Sequence, residues 1–306
     1  MSFKHLVVPL DGSHLAEAVL PTASVLAQVL QARVTLLHII ERNPPQEIHG
    51  ETHLTSEQQA LTYLQQIAAE AFPDDVEVNY HIHTAEVSDV AKSIVDHASE
   101  LDTDMVAMCT HGRSGLRGFL FGSIAQQVVA MGKSPVLLIQ PGRDGTAPAF
   151  QCLRLLVPLD GNPDHEQALE VAISLAQACG AELHLLAVVH TMGSLPGEQA
   201  ASAMLLPGTA SAVLDMNEQN AGNYLLATAK SYIPDNVSVQ FSVLRGDPAR
   251  GIAKAARQQR ANLIVLGTHG KSSMDAFWSG SLTPRIARST RIPLLMVPVE
   301  NRMKQD

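Results

Sequence analysis

The chain has 306 residues, 46% of them hydrophobic and 17% charged, with a formal net charge of −9. Such values describe a folded globular protein with room for two domains, not a disordered or fibrous one. Its 21 Lys and Arg residues are scattered and nowhere do 18 apolar residues run together, so neither a nucleic-acid backbone nor a membrane is expected as a partner.

The amino terminus, Met1-Ser-Phe-Lys-His-Leu-Val-Val-Pro-Leu-Asp11, is too short an apolar run for a signal peptide, and a cytoplasmic protein is expected. Leu6 to Leu10 reads as a strand, a helix follows from about Ser13, Val34 to Ile40 is a second strand, and a helix runs through Tyr63. Leu15, Val19, Ala23 and Ala27 recur every fourth residue in the first helix, the stripe of a helix lying on a sheet. A strand from Val76 to His83, a helix through Ala91 to Ala98, a strand from Met105 to Met108, a helix from Gly122 and a strand from Val136 to Ile139 complete the first half.

The pattern is then written again. Leu6-Val-Val-Pro-Leu-Asp-Gly-Ser13 returns as Leu155-Leu-Val-Pro-Leu-Asp-Gly-Asn162, Tyr63-Leu64 as Tyr224-Leu225, Thr110-His-Gly112 as Thr268-His-Gly270, and Gly122-Ser123 as Gly280-Ser281. A tandem duplication follows, with domains over 1–143 and 150–300 joined by the Gly- and Pro-rich stretch Pro141 to Pro148. The second copy is longer around Thr191 to Leu214. Alternation of strands and helices predicts an α/β fold, two doubly wound domains in which five parallel strands are flanked by four helices.

Cys109, Cys152 and Cys179 are widely spaced and form no CxxC, so they are expected to be buried small residues without a disulfide framework or a zinc site. His81 and His83 share one face of a strand, but no HExxH or Cys/His cluster accompanies them, and no metal centre is expected.

Ligands of open parallel sheets bind outside the carboxyl ends of the strands. The segment Gly267-Thr-His-Gly270 ends a strand, and Gly280-Ser281 opens a helix ten residues beyond Gly270. Glycines let a ligand approach the main chain, and a helix amino terminus suits a phosphate. Two better-known phosphate loops are excluded: Gly270-Lys-Ser272 finds Val265 and Gly132-Lys-Ser134 finds Gln127 where a Walker A loop needs glycine, and no GxGxxG follows the first strand of either copy. Asp11 and Asp160 are read either as ligand contacts or as caps of the following helices. No carboxylate or nucleophile is spaced to make His111 or His269 a catalytic base.

Gly-x-x-Gly, nine residues and Gly-Ser, with Asp-Gly ending the first strand of the same unit, resembles the nucleotide-binding signature of the universal stress protein family, and both copies share the resemblance. It implies an adenine nucleotide alpha hydrolase-like fold with strand order 3-2-1-4-5 and pairing of the two fifth strands, an internal pseudo-dimer. A homodimer of whole chains is a further candidate assembly. It also implies binding of ATP, ADP or AMP, with Mg²⁺ as a candidate companion, in a stress-response sensor or regulator that is no efficient enzyme and at most hydrolyses ATP slowly.

Carried over, the resemblance assigns Asp160 and the main chain of Val188 to adenine and ribose, together with Pro158 and Leu159. Gly267 would border the ribose, and His269, Gly270, Gly280, Ser281 and Leu282 the phosphates. Asp11, Ile39, Gly112, Gly122, Ser123 and Ile124 take the matching places in the first copy. There Cys109 replaces the first glycine and Thr84-Ala-Glu-Val87 stands for Arg245-Gly-Asp-Pro248, so the second domain is expected to bind more reliably. The competing reading is a scaffold that binds no nucleotide and acts through protein partners or another small ligand.

Overall fold

The structure is a computed structural model, which describes residues 3–42, 44, 46–48, 50–110, 122–142, 145–162, 166–195, 197–269 and 282–299. The first half runs β1 (His5–Pro9), α1 (His14–Glu17), α2 (Leu20–Leu30), β2 (Arg33–Glu41), a hairpin of β3 (Glu47–Ile48) and β4 (Glu51–Thr52), α3 (Glu57–Ala71), β5 (Val78–Val87), α4 (Val90–Glu100), β6 (Met105–Cys109), α5 (Ser123–Met131) and β7 (Val136–Ile139). The second half runs β8 (Arg154–Pro158), α6 (Gln167–Cys179), β9 (Glu182–Val189), a short 3₁₀ turn (Met192–Ser194), α7 (Gly197–Leu205), α8 (Pro207–Tyr232), β10 (Val239–Arg245), α9 (Pro248–Gln258), β11 (Leu263–His269), α10 (Leu282–Ser289) and β12 (Leu294–Val299).

One ten-stranded sheet carries both halves, in the order β10-β9-β8-β11-β12-β7-β6-β1-β2-β5. Within each half the strands are parallel and ordered 3-2-1-4-5. The halves meet edge to edge, β12 antiparallel to β7 with Leu295 opposite Leu137. These short, wholly apolar strands would be exposed edges in separate domains, and pairing them removes that liability.

The sheet is buried on both faces. Leu26 of α2, Leu64 of α3, Leu169 of α6 and Leu225 of α8 pack on one face. Ile94 of α4, Val128 of α5, Ile252 of α9 and Ile286 of α10 pack on the other.

Four details depart from the sequence reading. The first helix is broken between Glu17 and Leu20, because Pro21 has no N–H to give and its ring would meet the Glu17 carbonyl of a continuous helix. Val19, Ala23 and Ala27 are nevertheless fully buried. The regular elements also exceed five strands and four helices per copy, by the hairpin β3–β4 in the first half and α7 in the second.

Next, β5 reaches Val87 with a register shift opposite Ile39 to Glu41. The turn into α4 is therefore Val87-Ser-Asp-Val90, and Asp89, which accepts the Lys92 N–H at 2.9 Å, is the counterpart of Asp247, which accepts the Arg250 N–H at 3.0 Å. Finally, Cys152 and Cys179 form a disulfide, with Cα atoms 5.8 Å apart. The parallel pairing of β8 with β9 aligns Arg154 with Glu182, and so brings the start of one strand against the end of the helix that precedes the other. Among the described residues no helix is long and apolar enough to cross a membrane.

Candidate functional site

Each half turns sharply after its first strand. Asp11 Oδ1 accepts both the backbone N–H of Ser13, at 3.0 Å, and its hydroxyl, at 2.7 Å. Between them Gly12 takes a φ of +91°, and Leu54 lies 3.0 Å from where a Cβ would stand, so glycine answers both conformation and space. Ser13 caps α1 by accepting the Ala16 N–H at 3.3 Å. The cap is thus Ser13, and Asp11 holds the capping hydroxyl in place. The second half repeats the turn: Asp160 Oδ1 accepts the Asn162 N–H at 3.0 Å, and Gly161 has a φ of +82°.

In the first half the turn is one wall of a cavity of about 480 Å³, whose lining includes Asp11, Ile39, Cys109, Gly122, Ser123 and Ile124. Small-molecule sites are roughly 300–1,000 Å³. Five of the six residues expected here therefore share one cavity, and the sixth, Gly112, lies outside the described residues. Gly122 precedes α5 and supplies no side-chain cap, while Ser123 and Ile124 at its start are exposed. The first amides of a nine-residue helix therefore face the cavity's rim, where a phosphate would be favoured.

Cys109 is buried, and its Sγ–H donates to the Ala16 carbonyl at 3.4 Å. Burial pushes the thiol's pKa well up, so the sulfur stays protonated. It is held toward α1 while Cys109 remains part of the cavity wall.

Two histidines of the wall, His38 and His53, escaped the sequence reading, as did the acidic Glu41 and Asp89. His38 Nδ1 donates to the Leu10 carbonyl at 2.8 Å, burial lowers the ring's pKa, and its buried Nε2 has no hydrogen-bond partner among the described residues. His53 is buried, and neither of its ring nitrogens has a hydrogen-bond partner among the described residues. The only signal for His38 is a polar residue inside the aliphatic run Leu36 to Ile40. His53 follows the unforeseen hairpin and has none. Glu41 and Asp89 add carboxylates to that of Asp11, so an anion fits at the α5 end of the cavity and not among these three.

The second half places its residues on the corresponding carboxyl ends. Pro158 closes β8 opposite Leu186, and buried Leu159 donates its N–H to the Leu186 carbonyl at 2.8 Å. Val188 lies on β9 opposite Leu244, Gly267 on β11 opposite Val297, and His269 ends β11 opposite Val299. Leu282 is the first residue of α10. Gly270, Gly280 and Ser281 lie outside the described residues.

Asp247, at the start of α9, pairs with Arg285 of α10. The Arg250 N–H and the Arg285 guanidinium hold its carboxyl below the usual range. Arg245, at the end of β10, is held by Asp215 at 2.6 Å and Glu218 at 2.9 Å, both on α8.

The profile described as "Universal stress protein family" matches residues 2–140 and 153–298. The chain belongs to the universal stress protein family. It is 26% identical over 299 residues to universal stress protein Rv2005c of Mycobacterium tuberculosis, covering 95% of this chain and 96% of that one. A universal stress protein of Methanocaldococcus jannaschii, MJ0531, is 30% identical over 146 residues, which cover 47% of this chain and 81% of that protein. Among solved structures, a universal stress protein from Archaeoglobus fulgidus superposes with a TM-score of 0.61 at 17% identity, over 98% of each chain. That likeness concerns the fold, and function has to be argued from the site.

Proposed function

We propose that this member of the family binds ATP or a related adenine nucleotide at the carboxyl edge of the sheet, chiefly in its second domain, and acts in the cytoplasmic stress response as a sensor or regulator, not as an efficient enzyme. The observation that carries the reading is the first-half cavity, where the Asp11 turn, the Ile39 strand end and the uncapped start of α5 converge. The second half has the same turn at Asp160, a glycine at 267 in place of Cys109, and Arg285 where the first half has Gln127. The base is received between the first two strand ends and the phosphates at the start of the last helix. Mg²⁺ travelling with a triphosphate would offset the carboxylates of Asp11, Glu41 and Asp89.

Equilibrium titration with ATP, ADP and AMP tests this. Gly270→Val is expected to weaken the tighter site at least tenfold. Ser123→Glu, which suits a helix start but repels a phosphate, is expected to remove only a weaker, first-domain site. Saturable binding that neither variant changes would refute the assignment.

A second reading, action through protein partners, is favoured by the apolar surface of the segment peculiar to the second half. Met204 is 81% exposed, Leu205 82% and Leu206 63%, at the junction of α7 and α8. If this reading holds, charged substitutions at these three positions abolish partner capture and leave nucleotide binding intact.

A further inference from the structure

His81 and His83 stand two apart on the outermost strand of the first half, in register with Leu37 and Ile39. Both therefore lie on the face covered by α4, and are separated by about 6.6 Å, two rises of a parallel strand. From α4, buried His97 reaches the same place: its ring centroid is 4.5 Å from that of His81 and 4.9 Å from that of His83. His97 Nε2 is 2.9 Å from His83 Nδ1, and His97 Nδ1 is 3.0 Å from Glu100 Oε2.

The hydrogen bonds order the tautomers. A carboxylate only accepts, so His97 donates from Nδ1, its Nε2 accepts, and His83 donates from Nδ1. His83 Nε2 then keeps its lone pair, at the end of a Glu100–His97–His83 relay. Relays of this kind fix and enrich a metal-ligating imidazole.

The duplicated half serves as an internal control. Ser242 and Leu244 pair with Leu186 and Val188 in the register in which His81 and His83 pair with Leu37 and Ile39. On α9 the counterpart of His97, counting from Asp247 as from Asp89, is Ala255. The same fold is thus built without one of these imidazoles, and packing does not require them.

We propose that His81 and His83 form a binding site for a late first-row divalent cation, Cu²⁺, Ni²⁺ or Zn²⁺, completed by water, with His97 and Glu100 as positioning residues. Three such donors do not already converge on one point among the described residues, and a two-imidazole site does not need them to. Imidazole suits these ions, and copper binds most tightly of the three.

The test is calorimetric titration of the chelator-treated full chain with Cu²⁺ and Zn²⁺, with Cu²⁺ electron paramagnetic resonance as an independent reading. His81→Gln and His83→Gln are compared with His14→Gln, which removes an exposed imidazole lying 2.7 Å from Glu17 and 3.2 Å from Glu51. One ion per chain is expected, at least tenfold weaker in either cluster variant and unchanged in His14→Gln, with imidazole nitrogen splitting lost alongside. Glu100→Gln, at a largely exposed position, is expected to weaken binding several-fold and covers the case in which His83→Gln does not fold. Affinity unaltered in His81→Gln and Glu100→Gln, or lost in His14→Gln, overturns the proposal.

Discussion

Tyr63 donates its phenolic hydrogen to Glu17 across 3.0 Å, and the second half repeats the pair as Tyr224 and Glu166 at 2.9 Å. The bonds tie α3 to the last residue of α1 in the first half, and α8 to the residue that precedes α6 in the second. Burial, joined by the nearby carboxylate, pushes both phenols above their ordinary range. A hydrogen bond to a charged group contributes about 1.5–3 kcal/mol, so Tyr63→Phe and Tyr224→Phe are each expected to lower stability by about 1–2 kcal/mol in urea unfolding. Equal midpoints for wild type and both variants would show the pairs to be idle.

The Cys152–Cys179 disulfide closes a separation of 27 residues, for which loop-closure entropy gives about 3.5 kcal/mol. Thiol reductant is expected to lower the melting temperature of the wild type and to leave Cys152→Ser unmoved. Intact-mass measurement without reductant should find the wild type lighter by two hydrogens.

Buried His38, His5 and His184 all have pKa values lowered from 6.5, with burial as the first cause. The unfolded chain takes up these protons before the folded one does, so their contribution is full above about pH 6.5 and is lost as pH falls from there through the lowered folded-state values. Unfolding midpoints are expected to drop between pH 7.5 and 5.5. His38→Gln, which can still donate to the Leu10 carbonyl, should reduce the drop.

The architecture was legible because the chain states it twice. Asp11 and Asp160, or Gly122 and Gly280, repeat at spacings that only a duplicated unit explains, and the aliphatic strands Val136–Ile139 and Leu294–Val299 had to be covered by something. What stayed hidden depends on contacts between distant segments. Pro21 lay within a four-residue periodicity that outweighed it, and Cys152 and Cys179 have no local spacing motif. The bulge in β5 moved the α4 turn three residues beyond its apparent place. His53 reaches the cavity from a hairpin that periodicity does not reveal.

Denaturing the freshly purified protein and identifying the small molecules it releases, by chromatography and mass spectrometry with Gly270→Val alongside, bears most directly on nucleotide binding. ATP, ADP or AMP near one per chain, lost in the variant, is the expected result. No released nucleotide, followed by no saturable binding when ATP, ADP and AMP are added back, would contradict it.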